Sequence, residues 1–288
     1  MKYSGRQFSV EEIAFIRRII EEDPARTRCG ISKRVCEQLN WRKADGGLKD
    51  MSCRVALLRM QEDGLIMLPA SRMKNGHANG KPFLRRTLFA EPGLPVSVPV
   101  HLMKDLRIEC VASRNDSYLW NEYIARYHYL GYTKLPGAQL RYWARWNGQE
   151  LALFGFGACA WKAEGRDRFI GWDAKQREKN LQRVVNNARF LILPWVRSRN
   201  LASRLLALVS KRVADDWQLR YGYRPVLLET FVECDRFRGT SYKAANWVWV
   251  GRTKGRGKKD VYHHEGKLPL KDIWLFPLQK DFRTVLCS

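Results

Sequence analysis

The chain contains no apolar run approaching the roughly 20 residues that a membrane-spanning helix needs. Nor is there a strongly amphipathic basic helix to lie on a lipid surface, so no membrane partner is expected. Its first residues, MKYSGRQFSVEE, lack the apolar stretch of a signal peptide, which points to the cytoplasm. The seven cysteines (Cys29, Cys36, Cys53, Cys110, Cys159, Cys234 and Cys287) include no C-x-x-C pair. Neither a zinc module nor a disulfide framework is therefore expected. No G-x-x-x-x-G-K-[ST] loop, G-x-S-x-G elbow or H-E-x-x-H helix occurs, which removes P-loop nucleotide hydrolysis, serine hydrolysis and zinc peptidase chemistry. His263-His264 lies in a polar stretch without such context and reads as surface. Acidic residues are also scarce: 29 Asp and Glu face 52 Lys and Arg.

That imbalance is the strongest global feature. A formal charge of +23 far exceeds what solubility requires and calls for a polyanionic partner. Nucleic acid, DNA in particular, is the expected one. A hydrophobic fraction of 45% over 288 residues suits a folded protein of one large or two modest domains.

The beginning of the chain reads as three short helices. Ser9 and Glu12 form a capping box before IAFIRRII, which Pro24 ends. A second helix follows Thr27, with Ile31, Val35 and Leu39 on one face, and MSCRVALLRMQED gives a third. LIMLP then reads as a strand, and ASRMKNGHANGKPFLRR as a basic hairpin tip. Three helices, a strand and a basic hairpin predict a winged helix over residues 1–88. Lys49, Arg54, Arg59, Arg72, Lys74 and Lys81 then fall on the third helix and the wing, the elements that approach DNA. A small helical packing module is the plainer alternative. Residues 89–101 hold three prolines and read as an extended linker.

From residue 102 to 288 the pattern becomes mixed α/β. LRIECV is a strand, SYLWNEYIARYHYLGY an aromatic-faced helix, and QLRYWARWNGQELALFGFGACAW a hairpin turning at Asn147-Gly148. DAKQREKNLQRVV reads as a helix, ARFLILPWV as a buried strand, and NLASRLLALVSKRVADDW as a long helix. PVLLETFV, VWVG and KDIWLFPL are strands, with GTSYKAANW a short helix between the first two.

This order resembles the N-acetyltransferase-like (GNAT) fold, a mixed-sheet α/β architecture. In that fold a Gln/Arg-x-x-Gly-x-Gly/Ala loop at a helix start binds the pyrophosphate of coenzyme A. Arg197, Arg199, Asn200 and Ala202 occupy the similar positions here, so a coenzyme A-type acyl donor is the cofactor the resemblance implies. A second GNAT pattern, Phe-Tyr-x-x-x-Gly-Phe, carries a tyrosine that protonates the leaving thiolate. It is matched by Tyr242-Lys-Ala-Ala-Asn246-Trp247. Both departures replace Gly by Asn, the other residue that readily adopts positive φ.

The basic run GRTKGRGKKD follows, placing Arg252, Lys254, Arg256 and Lys258 on a glycine-rich loop suited to phosphate contact. Three segments, RDRFIGWDAKQREKNLQRVVNNARFLILPWV, ETFVECDRFRGTSYKAANWVWVGRTKGRGK and KDIWLFPL, together with LKDMSCRVALLRM, resemble the DruA family. Members of that family belong to Druantia anti-phage systems or accompany bacterial mobile elements. The resemblance implies a DNA-directed role, with other defence-system or mobile-element proteins as partners, and assigns no catalytic residues.

Those come from the residues themselves. RDRFIGW places Asp167 at a strand-to-helix turn. LLETFVE places Glu229, Thr230 and Glu233 near the end of a central strand, and NNARF puts Asn186 and Asn187 at the start of its neighbour. By alternation Glu229 shares a face with Phe231 and is partly buried. It is then either a general base paired with Tyr242 as acid, or an ion-pair partner of Arg236 or Arg189. Group transfer to nucleic acid is one reading and a non-catalytic DNA-binding scaffold the second. A Mg²⁺ nuclease built on Asp167, Glu229, Glu233 and Asp235 is the third, although no carboxylate-x-Lys spacing supports it.

Overall fold

The computed structural model describes residues 1–70, 84, 86–135, 137–255 and 268–288. Its contacts divide the chain into two units, Met1–Lys81 and Pro82–Ser288.

In the first unit a two-stranded ribbon, β1 (Lys2–Tyr3) and β2 (Arg6–Gln7), precedes three helices: α1 (Val10–Glu22), α2 (Arg28–Gln38) and α3 (Asp50–Glu62). The expected capping box is present, with Ser9 Oγ accepting from Glu12 N and the Glu12 carboxylate accepting from Ser9 N. Thr27 caps α2 in the same way through Gly30 N. Ile13, Ile16 and Ile19 of α1, Ile31 and Val35 of α2, and Ala56, Leu57 and Met60 of α3 meet in one core. The LIMLP segment is irregular chain rather than a strand, yet it still buries Ile66 and Leu68 in that core. The expected hairpin tip lies outside the described residues.

The second unit is a mixed α/β body around one seven-stranded sheet. Its strands are β3 (Arg107–Cys110), β4 (Leu140–Trp146), β5 (Gln149–Ala158), β6 (Val184–Ile192), β7 (Leu227–Glu233), β8 (Val248–Arg252) and β9 (Lys271–Pro277), in the order β3-β4-β5-β6-β7-β9-β8. Every neighbouring pair is antiparallel except β6 and β7, which are parallel. Six helices accompany the sheet among the described residues: α4 (Arg114–Tyr127), α5 (Glu164–Ile170), α6 (Ala174–Asn180), α7 (Leu201–Tyr221), α8 (Thr240–Ala244) and α9 (Phe282–Leu286). The parallel pair needs a crossover, and α7 supplies it. One face of the sheet packs on α4, α7 and α8 through Trp120, Leu205, Val209, Trp217 and Tyr242. The other packs on α5 and α9 through Ile170, Phe282 and Leu286. Asn147 and Gly148 both have positive φ (47° and 74°), as a two-residue hairpin requires.

Three expectations change in this unit. RDRFIGW is not a turn but the helix α5, closed by Gly171 in the left-handed region. The VV of QRVV starts β6 instead of ending a helix. Residues 89–101 do not run free of the larger unit. Ala90 is fully buried in its core, Val96 N donates to Trp195 O, and Arg197 N donates to Val96 O. No helix among the described residues is long and apolar enough to cross a membrane.

Candidate functional site

The two central strands stay together only briefly. Val184, Val185 and Asn186 of β6 pair with Leu227, Leu228 and Glu229 of β7, and no pair follows. On its other side β6 carries a bulge. Gly155 of β5 faces Arg189 and Phe156 faces Asn187, which leaves Ala188 as the extra residue. A bulge bends its strand, and here it lies where β6 turns away from β7. The opening is a cavity of about 580 Å³ bordered by Asn187, Ala188 and Phe190 of β6, Thr230 and Val232 of β7, Ala202 of α7 and Tyr242 of α8.

The first turn of α7 reaches this cavity through Ala202. Asn200, the N-cap, has φ 62° and its side chain makes no cap bond, and of the first-turn amides of α7 Leu201 N donates to Ser198 O at 3.4 Å. Asn246, at the second Gly-to-Asn position, has φ 63°. Both asparagines thus keep the backbone geometry that glycine would give. Arg197, Arg199 and Asn200 are exposed, and the Ser198 hydroxyl is buried without a partner.

The polar groups of the cavity wall are tied to one another only loosely. Thr230 Oγ1 donates to Asn187 O at 3.0 Å and lies 3.5 Å from the Tyr242 hydroxyl. The Asn187 side-chain amide is buried with neither Oδ1 nor Nδ2 bonded. Burial pushes the Tyr242 phenol up to about 12, with the Thr230 hydroxyl opposing, so it holds its proton at neutral pH. His128 also borders the cavity. Burial and then the Arg189 charge push its imidazole down to about 4. Leu130 N donates to His128 Nδ1, which leaves the ring proton on Nε2. Among the described residues no carboxylate lines this cavity.

Glu229 and Asp167, the expected base and its companion, lie elsewhere. Thr230 and Val232 face the cavity side, so Glu229 projects to the opposite face of the sheet. It is fully buried there. Its Oε1 accepts from Ala160 N at 2.7 Å and its Oε2 from Arg166 Nη1 at 2.8 Å. Burial raises the Glu229 carboxyl, and Arg166 and the Ala160 amide oppose that rise. The fully buried Arg166 also donates to Asp167 Oδ1 and to Ala160 O. Asp167 accepts further bonds from Trp172 Nε1 and Ala163 N. The ion-pair alternative for Glu229 therefore holds, with Arg166 in place of Arg236 or Arg189. Glu229 and Tyr242 do not meet. Glu233 pairs with Arg236 at 2.9 Å and Asp235 is exposed. Among the described residues no group of three or more His, Cys, Asp or Glu could hold a metal ion.

The basic residues are divided. Lys49 and Arg59 are exposed, and Arg54 pairs with Asp50 at 3.0 Å along α3. Arg252 pairs with Asp272 at 3.0 Å and Lys254 with Glu164 at 2.7 Å. Arg72, Lys74, Lys81, Arg256 and Lys258, together with His263 and His264, lie outside the described residues. His128, Tyr129, Phe237 and Arg238, which border the cavity, did not stand out in the sequence. For His128 and Tyr129 the signal was the aromatic run YHYLGY at the end of the aromatic helix, and Phe237 and Arg238 had none.

Fold and site together define a two-unit protein whose mixed α/β body opens its sheet into a ligand-sized cleft. Residues 59–267 match the family described as Druantia protein DruA, and the chain belongs to that family. Among curated proteins none matches. Among solved structures the chain is similar to an N-acetyltransferase from Staphylococcus aureus Mu50, with 14% identity and a TM-score of 0.38 over 61% of this chain and 100% of that one. It is also similar to the ribosomal-protein-S18-alanine N-acetyltransferase of Escherichia coli, with 10% identity and a TM-score of 0.37 over 60% and 94%. A Drosophila melanogaster polyamine N-acetyltransferase gives 10% identity and a TM-score of 0.37 over 59% and 100%.

Proposed function

We propose that this DruA-family chain acts on DNA within anti-phage defence. In this reading the first unit is a winged helix that holds the duplex. The second is a GNAT-like body that transfers a small group to nucleic acid. The charge of +23 and the exposed Lys49 and Arg59 on and before α3 support the DNA reading. The strand order, with one parallel pair that opens beside the start of its crossover helix, supports the GNAT-like reading.

The observation that carries group transfer is convergence. The first turn of α7 and the Tyr242 phenol border the same cavity. The residues fit a coenzyme A-type donor. The α7 amides after Leu201, which the Asn200 side chain does not cap, suit phosphate, the Asn200 turn is preserved, and the Ser198 hydroxyl and Asn187 amide are buried without partners. Arg197, Arg199 and the α7 amides would hold the phosphates. When bound, such a donor supplies an acyl group activated as a thioester. Tyr242 keeps a proton in the cavity wall and can give it up as an acid. Glu229, neutralised by Arg166 on the far face, is not the base. Calorimetric titration with acetyl-CoA and mass spectrometry of nucleosides from DNA exposed to the protein test this reading. Absence of both binding and modified nucleosides would overturn it.

A second reading, a non-catalytic DNA-binding component, has its own support. Both carboxylates that could serve as bases are consumed by Arg166. Unaltered nucleosides together with retained DNA affinity would favour it.

A further inference from the structure

We infer that the cavity mouth is a stacking platform for an unpaired nucleobase of single-stranded DNA, with Tyr129 and Phe237 as its ring surfaces. The inference rests on the nucleic-acid reading above and names the form of substrate that reaches the cavity.

Large apolar side chains bordering a cleft are ordinarily covered, but here two rings stand open. Tyr129 is 40% exposed and Phe237 49% exposed, and both border the cavity. They form one cluster. Their ring centroids lie 5.4 Å apart, and His128 stacks on Tyr129 at 4.9 Å. The Arg236 guanidinium sits over Tyr129 at 5.1 Å from its centroid. Rings and guanidinium planes are the surfaces on which unstacked bases settle, whatever their sequence.

The charge around the mouth suits a phosphodiester strand. Arg238 is exposed and makes no ion pair among the described residues. Arg189, whose charge acts on both His128 and Tyr129, donates to Ala188 O and Thr133 Oγ1 and, among the described residues, to no carboxylate. Arg236 differs from these two in having an acidic partner, Glu233. Inside the cavity wall the unbonded Asn187 amide offers a donor and an acceptor to the polar edge of a base. A base paired within a duplex stays stacked in the helix and cannot enter a cleft between strands of a sheet. The fitting substrate is therefore unpaired or extruded.

The test is fluorescence anisotropy of the full chain with a fluorescein-labelled deoxyadenosine single strand and a labelled hairpin duplex. The variant carries Tyr129→Ala and Phe237→Ala. Its single-strand affinity should fall roughly 10- to 100-fold, while duplex affinity and melting stay as in the parent. If the alanine pair melts early, Phe237→Leu, which keeps apolar bulk without a ring, must still weaken single-strand binding. Unchanged single-strand binding in folded variants overturns the inference, as does a parent protein that binds the duplex and not the strand. Failure to bind either DNA would instead overturn the nucleic-acid reading itself.

Discussion

The two faces of the central sheet treat charge in opposite ways. On the α5 side, Arg166, Asp167 and Glu229 satisfy one another, and Ala160, Ala163 and Trp172 fill the remaining bonds. On the α7 and α8 side, Asn187, Tyr242 and His128 border a cavity with few bonds among them and no acidic neighbour in its wall among the described residues. Both faces hold polar side chains at strand positions that look alike in sequence. A group whose bonding capacity is exhausted by its neighbours serves the fold, whereas one left partly unbonded beside open volume can serve a ligand. By this criterion the Arg166 cluster is architecture and the cavity is the site.

The largest effect tests the architectural half. Arg166→Leu leaves the fully buried Glu229 carboxylate without its counter-ion, and breaking a buried pair in this way costs about 3–5 kcal/mol. Calorimetry should show the larger unit melting on the order of 10 °C lower. Pairing Arg166→Met with Glu229→Gln removes both charges, keeps an acceptor for the Ala160 amide, and should recover most of the loss. If Arg166→Leu melts normally but abolishes activity, the comparison between the two faces collapses, because the cluster would then be functional.

Sequence reasoning reached the local features and missed those made between distant segments. The Ser9–Glu12 box, the Asn147-Gly148 turn, the long helix α7 and the tolerance of Asn for positive φ at Asn200 and Asn246 depend on neighbouring residues, and each is present. The partner of Glu229 is 63 residues earlier, and its choice follows from strand order rather than spacing. The bulge at Ala188 exists only as a mismatch between β5 and β6, and no property of Ala announces it. Prolines in 89–101 leave no α-helix there, only the short 3-10 turns Leu88–Ala90 and Val100–Leu102 at its ends, yet an extended segment can lie on a domain as readily as between two, as Val96 does against Val196. Of the residues singled out in the sequence, Tyr242, Ala202, Asn187 and Thr230 border one cavity, whereas Arg197, Arg199 and Asn200 are exposed and not part of its lining, and their assembly was not legible.

A second prediction concerns the acidic limit of the cavity side. His128 sits at about 4 in the folded protein against about 6.5 when unfolded. Between those values the unfolded chain binds more protons, so stability is present above about pH 6.5 and is lost as pH falls toward 4. The shift corresponds to roughly 3 kcal/mol at most. His128→Asn, which keeps an acceptor for Leu130 N, should flatten the dependence of melting temperature on pH across this window. An unchanged slope would mean that His128 is not held neutral by its surroundings.

Tyr242→Phe sharpens the comparison with a smaller change in stability. Among the described residues the hydroxyl has one long contact, 3.5 Å to Thr230, so its removal should cost only about 0.5–1.5 kcal/mol. If the cavity performs transfer, the rate should nevertheless fall by on the order of 100-fold, the usual weight of a general acid. Activity unchanged in Tyr242→Phe would remove the phenol from the chemistry and leave it with packing against Trp247 and Phe190.

The smallest structural effect is expected at the edge of the sheet, where ion pairs exist but are open to water. Lys254 and Glu164 are both more than half exposed, and the Arg252 side chain is 52% exposed beside Asp272. Pairs in such surroundings are screened and contribute little to stability, so Arg252→Ser with Lys254→Ser should melt almost as the parent does. The same openness lets phosphate compete for these cations, which the fixed Arg166 cluster does not allow. If they touch DNA, as the glycine-rich basic run leads one to expect, affinity should drop, and the slope of log K against log salt should flatten by about 0.9 for each phosphate that is no longer neutralised. Binding titrations at two salt concentrations measure both quantities. A variant that binds and responds to salt like the parent would show that Arg252 and Lys254 spend their charge on Asp272 and Glu164. That outcome would move this edge of the sheet to the architectural side of the comparison.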